Sequence, residues 1–151
     1  MYKPSLLFDR TSEERKDMFL SWNRTDQAFF AAGACHILAD LFLQLHPDEG
    51  YKMIHIKPHE GYTGNHVYAS DETWAFDHNG WTKEAELLKT TEIAYSEKYP
   101  GWGYDRVEIN PTIDSLEAFC KANNSRLPWQ YAYLPWERAY KYIQQFPARH
   151  P

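Results

Sequence analysis

The chain has 151 residues, 43% of them hydrophobic and 25% charged, which suits one soluble domain with a core that needs no disulfide or metal. Sixteen Lys and Arg stand against twenty-one Asp and Glu; a net charge of −5 without a basic run argues against nucleic acid or an anionic membrane as main partner. No apolar stretch approaches the roughly 20 residues that span a bilayer, Met1 to Arg15 lacks the apolar segment of a signal peptide, and two cysteines are no disulfide framework, so a cytoplasmic protein is expected.

Thr11-Ser12-Glu13-Glu14 predicts a helix start, with Thr11 as N-cap and Glu14 as its capping-box partner. Met18, Phe19 and Trp22 continue an apolar stripe that ends near Asn23. Residues 24 to 33 read as a loop containing Gln27. From Ala34 onward, Ile37, Leu38, Leu41, Phe42 and Leu45 recur at helical spacing, a buried helix that stops before Pro47. Tyr51 to Lys57 alternates as a strand, and residues 65 to 78 read as a β-hairpin. Asn79-Gly80 is a turn signal, after which Thr82 is placed to cap a helix of about 83 to 98. Tyr104 to Ile109 is a further strand. Asp114-Ser115-Leu116-Glu117 is a second capping box, opening a short helix that holds Phe119 and Cys120. Leu127-Pro128-Trp129 and Leu134-Pro135-Trp136 precede a final helix with Tyr140 and Ile143. The order predicts a single α+β domain over 1–151, a small antiparallel sheet with helices packed on one side.

Cys35 is the first candidate for chemistry. At the start of a helix, unpaired amides and the dipole stabilise a thiolate. Gly33 and Ala34 leave room for a carbonyl to approach, and the Cys35 amide can donate to a developing oxyanion. The hairpin supplies the partners. If Asp71-Glu72 is a two-residue turn, Ser70 pairs with Thr73, Ala69 with Trp74, Tyr68 with Ala75 and Val67 with Phe76. His66 then lies opposite Asp77, with Cβ atoms roughly 5 Å apart. Val67, Ala69, Trp74 and Phe76 fall on the other, apolar face. A carboxylate beside His66 would fix its tautomer while the second ring nitrogen faces Cys35. A slip of one residue would break the pair.

Gln27 is a candidate second oxyanion donor, and Trp22 and Trp81 are candidate groove residues. His36 is turned roughly 100° around the helix from Cys35. His36, His55, His59, His66 and His78 with Cys35 are the residues a zinc enzyme could use, a third alternative, but they show no Cys-x-x-Cys or His-Glu-x-x-His spacing, so neither a metal nor a cofactor is expected. Cys120, beside Phe119, reads as structural.

A cysteine in Gly-Ala-Cys-His, a histidine in Asn-His-Val-Tyr and an aspartate in Trp-Ala-Phe-Asp, in that order, resemble the papain-like superfamily. The short gap from His66 to Asp77 is most similar to its transglutaminase-like branch. The motifs cover roughly residues 29 to 80; the resemblance implies a papain-like core over about 29–110 with a helical C-terminal portion, 111–151. His36 stands where that family often has an aromatic residue. The resemblance implies a catalytic triad of Cys35, His66 and Asp77 in a hydrolase or acyltransferase that passes through a thioester.

A protein, a peptide or a small amide is the expected substrate, and protease, amidase, protein-glutamine deamidase and transferase stay open. A different class is also compatible. Aromatic residues make up 17% of the chain, more than a core requires, and a non-enzymatic module could present them to a peptide or protein.

Overall fold

The computed structural model describes residues 1–109 and 113–147, with the side chains of 113–115 left out. A 3-10 turn at Ser5–Phe8 leads into two short helices, α1 (Ser12–Lys16) and α2 (Met18–Trp22). The Thr11 capping box forms: Glu14 N–H donates to Thr11 Oγ1 at 3.1 Å and Thr11 N–H to Glu14 Oε1 at 2.8 Å. Asp17 splits what the sequence suggested as one helix, because its carboxylate accepts the amides of Phe19 and Leu20 and so caps a fresh start.

The expected loop at 24–33 is instead largely helical. α3 (Asp26–Ala31), capped by Thr25, buries Phe29 and Phe30. Six residues are too few to display a helical period, which is why the pattern reads as loop. The long buried helix α4 (Cys35–Leu45) begins at Cys35 and ends before Pro47.

The sheet is antiparallel throughout. Its strands are β1 (Lys52–Pro58), β2 (His66–Ser70), β3 (Trp74–Asp77), β4 (Gly80–Lys83) and β5 (Tyr104–Ile109), in the order β4-β3-β2-β1-β5. β4 has no separate signal in the sequence. His78-Asn79 makes the turn before it, and Gly80 takes a φ of 72° opposite Asp77. Thr82, expected as a helix cap, pairs with Ala75 in β4. Helix α5 (Glu84–Lys98) therefore starts at Glu84, whose carboxylate accepts from Tyr68 Oη, Ser70 Oγ and Arg106 Nε.

α6 (Ile113–Asn123), a 3-10 turn at Pro128–Gln130 and α7 (Trp136–Gln144) complete the chain. The expected cap at Asp114 lies outside the described side chains.

The molecule is an α+β fold, but its helices cover both faces of the sheet rather than one. Ala69 and Phe76 pack under α4 and α7, through Ile37, Leu38, Phe42, Ala139, Tyr142 and Ile143. Ile54, Ile56, Tyr68 and Ala75 pack under α5, with Leu87, Tyr95 and Trp102. All five residues of β2 are buried in consequence. The reason is visible in His66-Val67-Tyr68-Ala69-Ser70: it carries apolar residues at both parities, the mark of a strand buried on both sides. Among the described residues, no helix is long and apolar enough to cross a membrane.

Candidate functional site

The site grows from the β2–β3 hairpin. Ala69 pairs with Phe76 and Ser70 with Ala75, so the tight turn is Glu72-Thr73 and not Asp71-Glu72. Asp71 fixes it. Its Oδ1 accepts the amides of Thr73 at 3.0 Å and Trp74 at 2.7 Å, its own N–H donates to Trp74 O at 3.1 Å, and Glu72 takes a φ of 79°. This register differs from the expected one by two residues. An even slip keeps every side chain on its face, so His66 and Asp77 still look the same way. They meet diagonally across the strands: His66 Nε2 donates to Asp77 Oδ2 at 2.9 Å, with both side chains buried.

Asp77 is held from several directions. Tyr2 Oη donates to Oδ2 at 2.6 Å, and the Asn79 amide to Oδ1 at 2.9 Å. Burial pushes the carboxyl pKa up, but the charge of His78 and the hydrogen bonds from His66 and Tyr2 outweigh it and hold Asp77 at about 2. Asp77 is thus a fixed anion at neutral pH.

His66 spends Nε2 on that anion. Its Nδ1 is buried and has no hydrogen-bond partner, which leaves it free to serve Cys35. Burial disfavours a charged imidazole here, yet the Asp77 bond and the neighbouring sulfur raise His66 well above neutral. Burial likewise pushes the Cys35 thiol up. Interaction with His36 and His66 overrides it and holds Cys35 well below the ordinary thiol range. Ala34 supplies no side-chain cap to α4, so the first-turn amides beside the sulfur stay open to an incoming oxyanion.

His36 does not point clear of Cys35 as helical geometry suggested. It is buried, its Nε2 donates to Arg126 O at 2.8 Å, and it interacts with both Cys35 and Cys120. Cys120 is buried, its thiol donating to the same Arg126 carbonyl at 3.4 Å. The loop before the nucleophile is pinned by Tyr131, whose hydroxyl donates to Gly33 O at 2.6 Å.

Cys35 opens into a cleft of about 810 Å³. The segment around Gly33 forms one wall, Thr63 to Asn65 another, and Ser125, Arg126, Trp129 and Gln130 contribute a third. Asn65 Oδ1 accepts from His55 Nε2 at 2.7 Å, which directs its amide nitrogen away from that ring.

Three expected contributors lie elsewhere. Gln27 sits on α3 and donates to His78 O at 3.5 Å, outside the cleft. Trp22 packs edge-on against Phe29 and Tyr133 beneath the Arg138 guanidinium. Trp81 packs edge-on against Phe42 and Phe76 and donates to Phe146 O at 3.2 Å. Both tryptophans are packing residues because strand and helix parity turn them toward the core.

For a metal, the one grouping among the described residues is His66, Asp77 and His78, with ligand atoms within 4.8 Å of one another. Asp77 Oδ2 is already committed to Tyr2 and His66, and His78 Nε2 to Lys3 O at 2.7 Å. These commitments fit a hydrogen-bonded network better than a coordination shell.

Comparison with family models, curated proteins and solved structures returns no match for the chain.

Proposed function

We propose that the protein is a cysteine-dependent hydrolase or acyltransferase acting on amides, with a papain-like arrangement of its reacting groups. One observation carries this reading: a buried His66 bonded through Nε2 to a fixed Asp77 carboxylate, its Nδ1 unpartnered, beside a cysteine at an uncapped helix start. In this reaction the Cys35 sulfur adds to the carbonyl carbon, and first-turn amides of α4 hold the oxyanion. His66 passes its proton to the leaving amine as the C–N bond breaks, giving a thioester. Water or an acceptor amine then loses a proton to His66 as it attacks the thioester and releases the sulfur.

The test is a pre-steady-state burst with p-nitrophenyl acetate, followed by mass mapping of the protein. The proposal expects a burst matching the enzyme concentration and an acetyl group on Cys35, both lost in Cys35→Ala. A linear time course with no adduct would overturn it.

A binding module is the second reading. It is favoured by Trp129, Tyr133 and Leu134, each more than 60% exposed, beside a groove of about 900 Å³ that Leu127, Trp129 and Leu134 help to line. It expects peptide binding that survives Cys35→Ala.

A further inference from the structure

The cleft around Cys35 has a charge pattern that the chemistry of a thiolate does not require. Arg10, Arg15, Lys16 and Arg126 line it, and among the described residues the only carboxylate in its lining is Asp9. Among the described residues, none of these four cations forms an ion pair with a carboxylate. Glu14, whose charge Arg10 feels, is taken by Arg24 at 3.3 Å and by the Thr11 amide.

The guanidiniums are crowded together instead. Burial, then the charges of Arg126 and Arg15, depress the Arg10 pKa. Arg126 Nη2 donates to the Arg15 carbonyl at 3.0 Å, which ties the α1 end of the cleft to the segment after α6. Its other nitrogen, Nη1, is buried without any hydrogen-bond partner. A buried guanidinium nitrogen with nothing to donate to is costly, and several like charges side by side repel. Both penalties vanish when an anion enters, since guanidinium forks match carboxylate and phosphate oxygens.

The placement relative to the nucleophile is specific. Gly33 adopts a φ of 120°, and a β-carbon built there would stand 3.3 Å from Arg10 Nη1. Arg10 therefore lies against the backbone two residues before Cys35. An anion held by these arginines would sit beside the carbonyl that Cys35 attacks.

Resting on the thiolate-nucleophile reading above, we propose that the substrate carries a carboxylate or phosphate close to its reactive acyl group, bound by Arg10, Arg15 and Arg126. The neutral-amide alternatives then give way to an anionic acyl compound, such as a peptide attacked next to a free carboxylate.

Two alkylating reagents of the same size separate this proposal from the one it rests on. Iodoacetamide is neutral and reports the thiolate; iodoacetate carries the anion. Rates at Cys35 are measured with both in a Cys120→Ala background, and their ratio is taken within each variant. The His66 imidazolium favours the anion in every variant, so the decisive quantity is the change in ratio. The iodoacetate-to-iodoacetamide ratio is expected to fall roughly tenfold in Arg126→Gln and in the surface variant Arg15→Gln. Succinate or inorganic phosphate is expected to protect Cys35 from iodoacetamide, the effective one showing which anion fits. A ratio unmoved in both variants, or protection by neither anion, overturns the anion site. Slow iodoacetamide labelling in every variant would instead remove the nucleophile reading.

Discussion

Tyr2 Oη and His66 Nε2 donate to the same oxygen of Asp77, at 2.6 Å and 2.9 Å. The carboxylate is thus shared between the imidazole and a residue 75 positions away in sequence. Tyr2→Phe removes one donor and leaves the His66 bond. We expect a stability loss of about 1–3 kcal/mol, the range for a hydrogen bond to a buried charge, with the acyl-enzyme still forming. Asp77→Asn, by contrast, loses the anion that holds the tautomer and should slow acylation roughly 10³–10⁴-fold. Equal burst rates for the two variants would contradict this division of roles.

Acid should weaken the fold through the same group. The Asp77 pKa lies at about 2, below the 3.8 of an ordinary aspartate. A depressed carboxyl pKa contributes stability that is present above the unfolded pKa and lost as pH falls through the folded one. The window therefore runs from about pH 4 down to about pH 2, with roughly 2 kcal/mol at stake. Urea unfolding across that range should show the slope in the unmodified protein and a shallower one in Asp77→Asn.

Two imidazoles lower the Cys35 pKa, and their contributions should be separable. In a Cys120→Ala background, the pH midpoint of iodoacetamide labelling should lie well below the ordinary thiol value of about 8.5. His66→Ala and His36→Asn should each raise it by roughly one unit, and the pair together should bring it near the free-thiol value. A midpoint of the ordinary kind in the unmodified protein would remove the thiolate.

Gly80 is the backbone point against which Phe146, just after α7, packs. Its φ is 72°, and the Phe146 ring lies against the position a β-carbon would take. Phe146 cannot retreat freely, because its carbonyl accepts from Trp81 Nε1 at 3.2 Å. Gly80→Ala should cost about 1–3 kcal/mol, read as a drop in Tm. An unchanged Tm would mean that the Phe146 packing yields easily.

Cys35, His66 and Asp77 were legible because each has a local signature: a helix start for the first, strand alternation for the other two. Alternation alone places the hairpin turn one position early, since Asp71 sits before the tight turn and anchors it through side-chain bonds to Thr73 and Trp74. The two-residue difference preserves parity and changes the pairing partners. The basic cleft was invisible for a different reason. Arg10, Arg15 and Arg126 come from segments more than a hundred residues apart, and no local spacing marks side chains brought together only by the tertiary fold. Gln27 failed for lack of a helix: once α3 forms, its amide is carried to the His78 carbonyl. Tyr2 had no signal at all.

The Lys3 carbonyl accepts from both His78 Nε2 and Asn79 Nδ2, at 2.7 and 2.8 Å, while Tyr2 seals the carboxylate behind them. Residues 1 to 3 thus act as a latch on the back of the site, fastened by Tyr2 to Asp77, by the Lys3 amide to Asn79 Oδ1 and by the two donors to the Lys3 carbonyl. Without that latch, Asp77 would lose the Tyr2 donor and the core cluster of Ile54, Ile56, Tyr68 and Ala75 would lose a buried ring. His66 and the N-terminal residues thus meet at one carboxylate, so the docking of a segment that lines no part of the cleft bears on the orientation of the imidazole.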